Sequence, residues 1–187
     1  MKYFLVILSL VIRFDFKSSP FLLVGFEPFN ERDINISQLL ISELTGAEYT
    51  KLILPVSFTD SWRVLKKESV GFSKILILGE YKQLYPRIEL AANNEFRDKN
   101  TVAEINSSMP FSLHTRFSFK LSVEANDSGA GKFVCNYVYF QSLSHNMPVV
   151  FIHVPSYSRE EFQKNKEALK TLVNEVIHVM KNTNYFQ

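Results

Sequence analysis

A single α/β domain, with a mixed and mostly parallel central sheet and helices on both faces, is predicted by three features of the chain. Short apolar runs recur at Phe21–Val24, Leu52–Val56, Ile75–Leu78 and Val149–His153. Segments with helical spacing of apolar residues separate or follow them, and Gly25, Gly79 and Pro155 punctuate their ends. Strand and helix in alternation require crossover connections, and these favour parallel pairing with both sheet faces covered.

Each element has its own local reason. Phe21–Val24 follows Pro20 and stops at Gly25, as a buried strand running into a tight turn does. Ser37 can cap a helix to Leu44 with Leu39, Leu40 and Leu44 on one side, closed by Thr45-Gly46. After the strand at Leu52–Val56, Thr59 or Asp60 can cap a helix carrying Trp62, Leu65 and Val70. The third strand, Ile75–Leu78, ends at Gly79. From Tyr81 to Ser108 the pattern is polar and mixed, with Arg87–Ala92 as a short strand. Phe117, Phe119, Leu121 and Val123 alternate with polar residues, which is the period of a half-buried strand. Asp127–Gly131 is a turn that feeds Phe133-Val134-Cys135, and Asn136–Leu143 can be helical, so Cys135 falls at a turn-to-helix junction. Val149–His153 is the last strand. Ser158 with Glu161 is a capping box, opening a helix whose inner stripe is Phe162, Leu169, Leu172, Val173, Val176, Ile177 and Met180.

The 187 residues, 46% hydrophobic, suffice for one sizeable core. A net charge of +2 from 21 basic and 19 acidic residues, dispersed along the chain, gives no basic tract for nucleic acid and no acidic tail. Residues 1–19 form a hydrophobic extension: Lys2 and the run Tyr3–Ile12 have the form of a signal segment too short to span a bilayer. Arg13, Asp15 and Lys17 follow at once without a small-residue cleavage site. The expected location is cytoplasmic, where a free thiol persists, with export through this segment as the alternative. The domain proper is then 20–187.

The chemistry rests on a solitary cysteine. Cys135 has no partner for an intramolecular disulfide, so it is a small buried hydrophobe or a reactive thiol. A nucleophilic thiol needs a depressed pKa, which an imidazolium or a helix N-terminus supplies. Glycines ahead of Cys135 permit a turn that aims the following amides at one point, where they can hold an oxyanion. His153, at a strand end, can carry the proton to a leaving amine, and a carboxylate on its other nitrogen fixes the tautomer. The remaining histidines, His114, His145 and His178, read as surface residues. No metal or organic cofactor is implied.

These local words, in this order, resemble the pyroglutamyl-peptidase (pyrrolidone-carboxylate peptidase) family of cysteine peptidases. The words are Gly25-Phe26-Glu27-Pro28-Phe29, Asn35, Glu89, Ala130 to Cys135, and Phe151-Ile152-His153-Val154-Pro155. The resemblance implies a phosphorylase/hydrolase-like α/β fold and a cytosolic omega-peptidase that removes N-terminal pyroglutamate from peptides. It assigns Cys135 as nucleophile, His153 as general acid/base and Glu89 as orienting carboxylate. Phe26, Phe29 and Phe133 match its ring-packing positions and Asn35 its lactam-contacting asparagine. A flat, uncharged lactam suits phenyl faces and a short polar set, whereas a charged N-terminal amine is desolvated there without a partner.

The departures are equally specific. The family continues its glycine with Gln-Ala-Gly-Gly-Arg, and this chain has Gly79-Glu80-Tyr81-Lys82-Gln83. The family's Glu-Arg-Val-Ala-x-Asn word reads Glu89 to Asn94, ELAANN. Its Arg-x-Pro-Asp-Asn stretch survives as Arg97-Asp98-Lys99-Asn100, leaving Arg97 as a candidate oxyanion or pocket arginine. Two rivals stand beside a pyroglutamyl peptidase: a thiol hydrolase of the same fold acting on another blocked amide, and a non-catalytic member that binds peptides or proteins. Homo-oligomer formation is left open and membrane association is not expected.

Overall fold

The computed structural model describes residues 21–46, 48–119 and 124–183. The extension at 1–19 lies outside the described residues. In chain order the elements are β1 (Phe21–Phe26), α1 (Ile36–Glu43), β2 (Tyr49–Leu54), α2 (Phe58–Glu68), β3 (Lys74–Tyr81), β4 (Arg87–Glu89), β5 (Ala91–Asn93), β6 (Glu95–Asp98), β7 (Thr101–Glu104), β8 (Ser112–His114), β9 (Ala125–Asn126), α3 (Val134–Ser144), β10 (Val149–Pro155) and α4 (Arg159–Asn182). The described strands form a six-stranded sheet in the order β2-β1-β3-β10-β4-β9 and two small ribbons, β5-β8 and β6-β7. Pairing is parallel from β2 through β10, antiparallel between β10 and β4, and parallel again to β9. The single α/β domain with a mostly parallel sheet is therefore as the sequence indicates.

The side-chain period of two splits the core into two layers. On one face Phe21, Leu23, Leu76, Leu78, Val150 and Ile152 pack against α1 and α4. On the other, Leu22, Val24, Ile75, Ile77, Val149 and Phe151 pack against α2 and α3. Strands buried on both faces are continuously apolar, which is why these runs were legible. The capping box of Ser158 and Glu161 and all seven stripe residues of α4 are present.

Elsewhere the local detail differs from expectation. The cap of α1 is Asn35, whose side chain accepts from the Ser37 amide; Ser37 is buried in the first turn, and its hydroxyl accepts from the Phe26 N–H at 3.0 Å. The inner residues of α1 are Ile36, Ser37, Leu40 and Ile41 rather than a stripe through Leu39. α2 is capped by Ser57, and Val70, beyond its end, is 80% exposed. β2 starts at Tyr49 and ends before Val56. Arg87–Ala92 is broken at Leu90 into β4 and β5, which serve different sheets. The Leu90 amide pairs with Asn126 and its carbonyl with Thr115, so the chain crosses between sheets without losing backbone hydrogen bonds. Phe117 and Phe119 pack on the core outside any strand, while Leu121 and Val123 lie outside the described residues.

Gly79 lies opposite His153 in the β3–β10 register. A Cβ built there meets the Phe151 ring at 2.7 Å and Cys135 Cβ at 3.2 Å. The missing side chain is what lets α3 approach the sheet beside His153. Gly79→Ala is expected to lower unfolding free energy by about 1–3 kcal/mol through overpacking, read as a shift of the urea midpoint at constant slope. An unshifted midpoint would show that Phe151 and α3 relax freely.

Candidate active site

Register builds the site. In the antiparallel β4–β10 pair Phe151 faces Glu89 and His153 faces Arg87. Residues directly opposite share a sheet face, and so do residues two apart on a strand. His153, Phe151, Glu89 and Arg87 therefore all project toward α3. His153 Nδ1 lies 2.5 Å from Glu89 Oε1, and its Nε2 lies 3.7 Å from Cys135 Sγ. The thiol, imidazole and carboxylate form one row.

Every member is held from behind. Glu89 is fully buried; Arg87 Nε donates to its Oε1 at 2.6 Å and Asn126 Nδ2 to its Oε2 at 2.5 Å. The Tyr139 hydroxyl of α3 donates to the Glu89 carbonyl at 2.9 Å. His153 is gripped between Phe151, edge-on at 4.5 Å between centroids, and Tyr81 at 5.0 Å. The first turn of α3 is stapled by the buried Asn136, which donates to the carbonyls of Asn93 and Glu95 and accepts from the Asn93 amide. Cys135 is the second residue of this helix, and Phe133 caps it without a side-chain hydrogen bond. The amides of Asn136 and Cys135 itself point at the sulfur. Asn136, Tyr139, Arg87 and Asn126 were not found in the sequence. A buried polar residue beside the candidate cysteine was the sole available signal, and it is visible for Asn136 alone.

Burial dominates the electrostatics. It pushes the Cys135 thiol up to about 12, against the pull of the two backbone amides, with the charge of Glu89 adding to the rise. Burial also holds His153 below the ordinary imidazole value, outweighing the hydrogen bond and charge of Glu89, and Arg87 opposes protonation further. Glu89 is itself desolvated, which acts to raise it, but its bonds to His153, Asn126 and Arg87 win and keep it below the usual carboxylate range. Desolvation thus works against the thiolate–imidazolium pair that the sequence suggests and favours a neutral thiol beside a neutral imidazole, although Cys135 itself is only half-buried at the cavity wall.

A cavity of about 510 Å³ opens in front of the sulfur at the C-terminal ends of the parallel strands, where such folds place ligands. Its wall contains Cys135, Phe26, Phe29, Asn35, Phe133 and Arg97, while His153 and Glu89 lie behind Cys135 and do not line it. Phe26 is buried at the end of β1, whereas Phe133 is 57% exposed at the rim. Asn35 Oδ1 is occupied by the amide and hydroxyl of Ser37, and Nδ2 donates to the Glu27 carbonyl at 3.0 Å. Its remaining amide hydrogen is the part left for a ligand. Arg97 is exposed on β6.

The altered loop after Gly79 divides between the two sheet faces. Tyr81 turns to His153, and Glu80 turns to α1, where its carboxylate accepts from the Ile36 amide at 2.6 Å and the Ser156 hydroxyl at 2.5 Å. Arg32 closes the arrangement by ion-pairing with Glu80 and donating to Ser156 and to the Tyr157 carbonyl. The Glu80 carboxylate is thus paired in the wall with Arg32. His114, His145 and His178 are exposed. Among the described residues no cluster of His, Cys, Asp and Glu could hold a metal ion, and no helix is long and apolar enough to cross a membrane.

A thiol, an imidazole and a carboxylate thus stand in line at the end of the largely parallel sheet of an α/β protein. No protein-family model matches the chain. It is 25% identical over 166 residues to the pyrrolidone-carboxylate peptidase of Halalkalibacterium halodurans, covering 72% of this chain and 83% of that protein. The crystal structure of pyrrolidone carboxyl peptidase from Fervidobacterium islandicum superposes with a TM-score of 0.69 at 24% identity, covering 84% of this chain and 98% of the other. A variant of the Pyrococcus furiosus pyrrolidone carboxyl peptidase gives 0.72 at 22% identity, over 87% and 98%. Pyroglutamyl peptidase I of Bacillus amyloliquefaciens gives 0.69 at 22%, over 80% and 92%. The chain is a divergent relative of the pyrrolidone-carboxylate peptidases and has their fold.

Two outcomes follow from these environments. Iodoacetamide is expected to modify Cys135 more slowly at neutral pH than it modifies a small free thiol, with a rate still climbing beyond about pH 9; a fast reaction with a plateau across neutral pH would mean that thiolate and imidazolium are the resting forms. Arg32→Ala, which strands a buried carboxylate, is expected to cost about 2–3 kcal/mol of stability. Glu80→Gln keeps acceptors for Ile36 and Ser156 and leaves a partly exposed arginine, so its cost is smaller; equal denaturant midpoints for the two variants would contradict the ion pair.

Proposed function

We propose that this protein is a cysteine omega-peptidase that hydrolyses the amide following an N-terminal pyroglutamyl residue, through Cys135, His153 and Glu89. The observation that carries the reading is the row from Cys135 Sγ through the His153 ring to Glu89 Oε1, with Cys135 on the wall of a cavity lined also by Phe26, Phe29, Phe133 and Asn35. The likeness to pyrrolidone-carboxylate peptidases supports the substrate class.

The chemistry follows from the resting charges. His153 Nε2 takes the proton of the Cys135 thiol as sulfur attacks the pyroglutamyl carbonyl carbon; neutral thiol and neutral imidazole make this a proton transfer within the pair. The carbonyl oxygen becomes an oxyanion facing the first-turn amides of α3. Glu89 stabilises the imidazolium while it exists. The imidazolium then protonates the departing amine as the C–N bond breaks, leaving a thioester on Cys135. A water molecule, losing its proton to His153, hydrolyses the thioester, and free pyroglutamate leaves as the thiol is restored. Phe26, Phe29 and Phe133 pack the flat ring, and Asn35 Nδ2 donates to the lactam carbonyl. Arg97, exposed on β6, lines the same cavity.

The Arg32–Glu80 pair in the cavity wall favours one second reading, a thiol hydrolase of the same fold with another blocked-amide substrate. A panel of fluorogenic pyroglutamyl, prolyl, acetyl-alanyl and free glutamyl amides separates the two, and turnover of none selects a binding protein. With the pyroglutamyl amide, Cys135→Ala and His153→Ala are expected to abolish measurable turnover, and Glu89→Gln to retain a residual rate. Phe26→Ala is expected to raise KM by roughly tenfold through lost apolar burial. Substantial turnover by folded Cys135→Ala would reject the thiol mechanism, whereas wild-type turnover by Glu89→Gln would remove only the carboxylate from it.

A further inference from the structure

Glu89 Oε1 serves two donors at once, His153 Nδ1 at 2.5 Å and Arg87 Nε at 2.6 Å. Arg87 lies two residues before Glu89 on the same face of β4 and directly opposite His153 across the strands. Its guanidinium carbon stands 5.4 Å from the centroid of the Tyr81 ring, and that ring lies against the imidazole at 5.0 Å with 35° between planes. The contacts close a cycle: Arg87 to Glu89, Glu89 to His153, His153 to Tyr81, Tyr81 back to Arg87. Tyr81 from β3 and Arg87 and Glu89 from β4 thus surround the imidazole together with Phe151.

We propose that Arg87 and Tyr81 form a bracket that positions the His153–Glu89 pair and fixes the charge state in which it rests; the inference takes Cys135 and His153 to be the reacting pair described above. The physical reason is charge balance. A buried carboxylate needs a cation or a set of donors. Where imidazole is the main partner, that need draws a proton onto the ring. Here Arg87 supplies a permanent cation on the same oxygen, so the ring is relieved of the task and is free to accept the thiol proton. The groups facing the imidazole are Glu89 and Arg87 from β4, Cys135 from α3 and Tyr81 from β3; Glu89 favours protonation of the ring and Arg87 opposes it. Tyr81 contributes a stacked face and a platform for the guanidinium, a cation–π arrangement that holds the arginine over the pair. In the resembling family the residue at this place after the glycine is alanine, which offers no such platform.

The test is an NMR titration of the His153 imidazole in the full chain, assigned by its loss in His153→Gln, beside the pH profile of kcat/KM on a pyroglutamyl amide. Arg87→Met is expected to move the His153 midpoint to higher pH, and Arg87→Lys, which keeps the charge, to leave it near wild type. On the acid side kcat/KM of Arg87→Met is expected to fall roughly three- to tenfold further than on the plateau. Tyr81→Leu, which leaves Arg87 in place without its platform, is expected to move the midpoint in the same direction by less, and it carries the test if Arg87→Met does not fold. A midpoint unchanged in the folded Met variant, or unchanged in Tyr81→Leu where that variant is decisive, overturns the proposal, as does a Lys variant displaced as far as Met. If no blocked amide is turned over by the wild type, the proposed function fails while the titration still decides this inference.

Discussion

The bond between His153 and Glu89 is the interaction on which the rest of the molecule's arrangement depends. It joins the last strand of the parallel run to the one strand that pairs with it in the opposite direction. A slip of one residue in that ladder turns Glu89 to the α1–α4 face and leaves a charge in an apolar layer. The β4 strand is only three residues long, so its register is fixed by more than its own ladder bonds. Tyr139 from α3, Asn126 from β9 and the Leu90 backbone bonds all bear on the same short segment.

Helix α3 is placed by the same logic from the other side. Its first turn carries the thiol, and the buried amide of Asn136 fastens that turn to β5 and the start of β6. Gly79 supplies the gap into which the helix fits. The sulfur, the ring and the carboxylate are consequently set by three backbone elements that meet at the end of the sheet, each locked by hydrogen bonds that a solvent-exposed site lacks. Such support is what keeps a reactive constellation in one geometry.

Charge is managed rather than avoided in these walls. Glu89 is surrounded by Arg87, Asn126 and His153; Glu80 by Arg32, Ser156 and the Ile36 amide; Glu95 by Lys132. Each of these acids has its own donor set, so Glu80 does not stand as a bare carboxylate facing the cavity. Its bonds instead tie the Phe29–Asn35 connection to β3 and to the end of β10. The neighbouring Tyr81 acts on the opposite face, against the imidazole.

The apolar runs Phe21–Val24, Ile75–Leu78 and Val149–His153 and the stripe from Phe162 to Met180 were legible in the sequence, because a strand buried on both faces and a helix with one inner face leave periodic marks that no distant residue can alter. Cys135, His153, Glu89, Asn35 and the phenylalanines were legible as local words; the row from Cys135 to Glu89, and the meeting of Cys135, Asn35 and the phenylalanines on one cavity, needed the fold. What the chain order could not disclose is everything that depends on which residues meet across the sheet. The break at Leu90, the β6–β7 ribbon, the caps at Asn35 and Ser57, the pairing of Arg32 with Glu80 and the closure of Arg87 over Tyr81 have no local periodicity; each is decided by which residues the fold brings together or by a competing cap one turn earlier. The charge state of the thiol is the clearest case. A helix N-terminus beside a histidine argues for a thiolate, and desolvation by the packing around the pair works against it, because desolvation is a property of the surrounding volume and not of the sequence around Cys135.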